Sequence, residues 1–142
     1  MMNSRALVCF SLVITLAFAL ACDGLTESAS AAAPPTPAMP SHWKVTSDID
    51  FAAADIEPVT QRLGGKISAL RNTTYDVGGK QVKLNTIVAA TDADADAIME
   101  ALRGMKSEEA FVRRGRIIYE FVGTNDVLPE IRDGRALLLS GQ

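Results

Sequence analysis

Asp92, Asp94 and Asp96 stand at alternate positions, the spacing with which a calcium-binding loop begins to ring a cation with short carboxylates. That chemistry also requires glycine at the sixth loop position and a bidentate acid at the twelfth, where this chain has Ala97 and Arg103. The competing explanation is a helix start, because acids in a first turn offset the helix dipole and cap its free amides. Gly64-Gly65-Lys66 and Gly78-Gly79-Lys80 carry the end of a phosphate-binding loop without its start, since Thr60 and Thr74 occupy the position of the first glycine. A helix stop and a hairpin turn account for both. Ser41 and His42 supply a hydroxyl and an imidazole side by side, but nothing marks a carboxylate to orient that histidine, so a nucleophilic triad has little support. Arg113, Arg114 and Arg116 form the basic cluster, with Arg103 and Lys106 upstream. It suits a solvated sheet edge, or contact with anionic lipid or an acidic protein.

Composition narrows the chemistry further. The chain has 142 residues, one His, and Cys at positions 9 and 22 only, which excludes a multi-histidine metal site, zinc–thiolate sites and iron–sulfur clusters. No cofactor or metal is therefore expected. The formal charge is −3, and −4 once residues 1–21, with their single Arg5, are set aside, which argues against nucleic acid as a partner.

Residues 1–21 read as a signal peptide. Arg5 follows the amino terminus, and Ala6–Ala21 is apolar except for Ser11 and Thr15. As a helix this run spans about 24 Å, short of the roughly 30 Å hydrocarbon core. Phe18-Ala19-Leu20-Ala21-Cys22 resembles the lipobox of bacterial lipoproteins, with Ala19 where Leu is usual. The resemblance implies diacylglycerol on the Cys22 thiol, with a fatty chain such as palmitate, and cleavage that makes Cys22 the first residue. It implies export and anchoring to a bilayer at the periplasmic face, and Asp23 resembles an inner-membrane retention signal. Cys9 would depart with the signal, and acylation would explain a single thiol in an oxidising compartment. The alternative is plain cleavage and a soluble secreted protein. Residues 22–41, rich in Ala, Ser, Thr and Pro, are expected to be a disordered tether with a root-mean-square reach of roughly 25 Å.

Residues 42–142 read as one α+β domain. Trp43, Val45, Ile49 and Phe51 alternate with polar residues, a half-buried strand. Ile56, Val59, Thr60 and Leu63 make a helical stripe opened by Asp55 and ended by Gly64-Gly65. Two runs flank Gly78-Gly79 as a type I′ hairpin pairing Val77 with Lys80 and, counting outward, Tyr75 with Val82, Thr73 with Leu84, Ala69 with Val88 and Ile67 with Ala90. Arg71 opposite Thr86 is the misfit on that apolar face, while the other face is polar. A second helix opens at Thr91 or Asp92 and runs through Met105. Phe111–Arg114 hairpins through Gly115 onto a strand whose two faces carry Ile117, Tyr119, Phe121 and Ile118, Glu120, Val122. From Thr124 a short helix, a turn at Asp133-Gly134 and a final strand or helix are expected. The expected fold is a ferredoxin-like β-α-β-β-α-β sandwich: four antiparallel strands, two helices on one face, and first and last strands adjacent so that Trp43 nears Tyr119.

Three functions of different class fit. A lipid-anchored, non-catalytic interaction domain with an envelope protein partner would use Asn72, Thr74, Lys83 and Asn85, with the second strand as an open sheet edge, or Arg113, Arg114 and Arg116. A small-ligand or ion-binding domain would need a pocket of converging Arg and Asp. A hydrolase would need a carboxyl of raised pKa in a cleft.

Overall fold

The structure, a computed structural model, describes residues 32–141, so the expected signal peptide and the expected acylation site at Cys22 lie outside the described residues. The elements are β1 (Lys44–Asp50), α1 (Ala53–Leu63), β2 (Ile67–Val77), β3 (Lys80–Ala89), α2 (Asp92–Met105), β4 (Phe111–Arg114), β5 (Ile117–Val122) and α3 (Leu128–Ser140), with 3-10 turns at Glu108–Ala110 and Asn125–Val127. None of the described helices is long and apolar enough to cross a membrane.

The fold is α+β, with one five-stranded antiparallel sheet in the order β1-β2-β3-β5-β4. This corrects the ferredoxin-like layout. β1 lies at an edge beside β2 instead of beside the last strand, and β2 is interior, so it offers no open edge. The physical reason lies in α1: it returns the chain to the end of the sheet it left, so β2 pairs antiparallel with β1. Only α2 carries the chain the length of the sheet, delivering it to β4 with β5 inserted between β3 and β4.

The central hairpin has the expected register from Val77–Lys80 through Ala69–Val88, including Arg71 opposite Thr86. Gly78 and Gly79 both adopt positive φ, the geometry a type I′ turn demands. A bulge between Ile67 and Ala69 then moves Ile67 onto Ala89, one residue short of the expected Ala90. Arg71 is accommodated at the rim, where its Nε donates to Asp50 Oδ1 at 2.6 Å. A second bulge, between Val45 and Ser47, breaks the alternation of β1. Val45 and Ile49 consequently point to opposite faces and stay 56% and 53% exposed, so β1 is an exposed edge strand and not a half-buried one.

Two cores sit on the two faces. α1 and α2 place Ile56, Leu63, Ala95, Ile98 and Leu102 on Leu70, Ile87, Phe111 and Ile118. On the other face α3 brings Ile131 and Leu138, and the 3-10 turn before it Val127, onto Tyr75, Val82, Leu84, Tyr119 and Phe121. β5 is thus covered on both faces, as its sequence implies. Trp43 stands edge-on to Tyr75 and Phe121, with ring centroids 5.3 and 6.4 Å away. Gly134 lies inside α3, not in a turn, because the helix crosses that aromatic cluster: a Cβ there would stand 2.9 Å from Trp43 Cη2.

α1 starts three residues earlier than expected, its N-cap being Ala52 and not Asp55, and ends on Gly64 in the left-handed conformation. α2 starts as expected: Thr91 caps it, its Oγ1 accepting from Asp94 N–H at 3.1 Å. The last ten residues of the expected tether behave differently from a free chain. Residues 32–40 have no regular structure, but Pro34 is buried, Thr36 accepts a hydrogen bond from Arg71, and Met39 packs against the Trp43 cluster. They run as a strap along the α3 face, antiparallel to β1.

Candidate functional site

Strand parity collects the predicted polar residues on one face. Cross-strand pairing aligns Ile49, Asn72, Asn85, Glu120 and Phe111 in one row spanning all five strands. The next row is Ser47, Thr74, Lys83 and Val122, followed by Lys44, Asp76 and Gln81. α1 and α2 cover the Leu70–Ile87–Ile118 end of this face and stop at the first row. Asn72, Thr74, Lys83 and Asn85 are therefore neighbours, as their sequence positions suggest. Their exposure differs from expectation: Lys83 is exposed, Asn72 and Asn85 are half-buried, and Thr74 is buried.

The polar middle of the first row is joined by side-chain hydrogen bonds. Asn72 Nδ2 donates to Asn85 Oδ1 at 2.7 Å, and Asn85 Nδ2 donates to Glu120 Oε2 at 2.8 Å. Lys106 Nζ lies 2.7 Å from Glu120 Oε1. Glu120 is only 6% exposed, and a buried carboxylate persists only when its charge is paired and its oxygens accept hydrogen bonds. The row thus fixes the boundary between the helix-covered half of the sheet and an open polar half. Sequence reasoning missed Glu120 and Lys106 as members. The signal was present in Ile117–Val122, where one acid interrupts five apolar or aromatic residues.

Arg113, Arg114 and Arg116 do not join this surface; they stand at the opposite end of the sheet. Arg113 is occupied by Asp96 and, at 3.7 Å, Asp92. Arg116 donates to the Ala90 carbonyl at 2.9 Å, and Arg114 is exposed on the α3 side. The aspartate triplet is a helix start: Asp94 accepts from Thr91 Oγ1 and from the Lys66 N–H, and those hydrogen bonds hold its carboxyl below the usual range. Among the described residues no group of three His, Cys, Asp or Glu side chains is placed to hold a metal ion.

The displaced carboxyls all shift downward: Asp50 through its hydrogen bond from Arg71, Asp94 as described, and Asp126 through its hydrogen bond from Thr124. Burial pushes the Tyr75 and Tyr119 hydroxyls up. None of these shifts produces an acid poised near neutrality. His42 is exposed in the turn before β1 and does not line either of two depressions on the surface. One, of about 220 Å³, is walled by Pro34, Phe51, Ile56 and Leu70. The other, of about 290 Å³, lies among Lys106, Ser107, Gly123 and Leu128. Comparison with protein-family models, curated proteins and solved structures finds no significant match.

Proposed function

We propose that this chain is a bacterial envelope lipoprotein, anchored through acylated Cys22, whose folded domain is a non-catalytic module that binds an envelope protein. The observation that carries the interaction reading is the open half of the sheet, where Ile49 is 53% exposed and Lys83 projects between Ser47, Thr74 and Val122. This mixed polar and apolar surface, which holds an open depression of about 380 Å³ among Gln81, Lys83, Val122, Gly123 and Thr124, suits the rim-and-core composition of a protein contact. Recognition through this face is favoured over strand addition, because both sheet edges are guarded. β1 is bulged and carries Asp48 and Asp50, and β4 is four residues long and ends in two arginines.

A photo-crosslinking residue at Lys83, in the native host, should capture one defined envelope protein, while the same residue at Glu57 on the outside of α1 should not. Lys83→Glu combined with Ile49→Asp should abolish capture and leave the melting temperature within the range of ordinary surface changes. Equal capture from both positions would refute the assigned face. Cys22→Ser should release the protein from the membrane fraction. The depression beside Lys106 and Ser107 favours a small-ligand reading as the second choice, since it combines a cation with a hydroxyl over apolar walls.

A further inference from the structure

The strap gives the anchored domain an orientation. From the Pro40–Trp43 turn it runs back along the sheet to Ala33 and Pro34, which lie against Asp50, Phe51 and Ala69. The chain therefore leaves toward Cys22 at the end of the sheet where β1 finishes and β2 begins. Only residues 22–31 separate the acylation site from the first described residue. Ten residues reach at most about 35 Å. β2 alone is about 35 Å long. The opposite end could approach the bilayer only with those ten residues drawn almost straight.

The end nearest the anchor also carries groups that suit a lipid surface. Phe51 is 37% exposed beside exposed Ala52, Ala53 and Ala54. The β4–β5 turn stands at this same end, because Arg116 O accepts from Ala89 N–H and Lys66 O accepts from Ala90 N–H. Lys66, Arg114 and Arg116 are exposed there, without an acidic side chain in salt-bridge range among the described residues. Several acids at this end, though at least partly exposed, are paired with groups of the domain: Asp50 with Arg71, Asp94 with the α2 cap, and Asp92 and Asp96 with Arg113. Asp55, in the first turn of α1, offsets the positive end of that helix's dipole. Cations close to a bilayer are drawn to anionic head groups, and an aromatic ring is at home at the interface.

Resting on the lipoprotein reading above, we infer that the end formed by Phe51–Ala54, Lys66, Arg114 and Arg116 lies on the phospholipid surface that holds the anchor. The domain then stands upright, with the Lys83 face directed sideways and its far hairpin away from lipid. The test uses the acylated full chain from native membranes, reconstituted in phosphatidylcholine vesicles containing phosphatidylglycerol. An environment-sensitive fluorophore is attached at Ala54→Cys or Lys83→Cys, and nitroxide-labelled lipid is the quencher. Quenching should be several-fold stronger at position 54. The difference should shrink in Lys66→Glu/Arg114→Glu/Arg116→Glu, and equally in the unsubstituted charge background when salt is raised. Equal quenching on a sample whose mass shows acylated Cys22 overturns this surface alone. A ratio indifferent to both salt and charge reversal overturns it as well. A sample lacking acyl mass overturns the anchor reading and this surface with it.

Discussion

Gly104 and Gly134 are both helical, and the same substitution to Ala should move stability in opposite directions. Gly104 lies near the end of α2, and a methyl group added there would meet nothing within 4 Å. Ala there gains helix propensity with no steric cost, worth about 0.5–1 kcal/mol. Gly134 lies mid-way along α3, where the methyl would meet Trp43 Cη2 at 2.9 Å and Phe121 Cε1 at 3.3 Å. Both rings are buried and locked edge-on, so they cannot swing aside as an exposed side chain would. Overpacking of this kind costs about 1–3 kcal/mol, which exceeds the propensity gain of up to about 1 kcal/mol. The net expectation is a loss of roughly 1–2 kcal/mol, or some 4–15 °C in melting temperature for a domain of about 100 residues. Urea unfolding followed by the fluorescence of Trp43, the only tryptophan, measures both variants. If Gly134→Ala stabilises the domain as Gly104→Ala does, α3 does not sit on Trp43.

Three further outcomes follow from the local chemistry. Thr91→Ala should cost about 1 kcal/mol by uncapping α2, read by the same urea titration. Asp50, Asp94 and Asp126 titrate lower in the folded than in the unfolded chain, so their stabilisation is complete above the ordinary carboxylate value of about 4 and is lost as pH falls through their folded values. Melting temperature should accordingly drop below about pH 4, and less steeply in Asp94→Asn; an unchanged slope in that variant would refute its part. Lys106→Ala leaves the Glu120 carboxylate with Asn85 alone and should cost about 1–3 kcal/mol, the lower end reflecting a lysine one-third exposed. A double-mutant cycle with Glu120→Ala should show coupling of at least about 0.5 kcal/mol.

Much of the hairpin geometry is legible because period-two alternation and a Gly-Gly turn define register locally. The pairing from Val77–Lys80 to Ala69–Val88 needs no tertiary information, and it also places Asn72, Thr74, Lys83 and Asn85 on one face. Strand order is not legible: alternation reports that a strand has two faces, not which strand lies beside it, and α1 could equally be a crossover or a return. β1 misleads because a bulge is invisible in an alternating sequence, so Val45 and Ile49 look like one apolar face. Gly134 resembles a turn residue in its Asp-Gly context, whereas its cause is an aromatic ring contributed by Trp43, ninety-one positions away. The strap is hidden for a similar reason. Its composition favours disorder, but Arg71 and the Trp43 cluster supply partners that composition does not record. At the site, the polar row is half visible: Asn72 and Asn85 follow from register, while the pairing of Glu120 with Lys106 depends on where α2 ends.

The anchor is tested most directly by the intact mass of the protein purified from membranes of its native host. A chain that begins at Cys22 and is heavier by a diacylglycerol group is expected. A chain that still begins at Met1, or a cleaved chain with no added mass on Cys22, would contradict it.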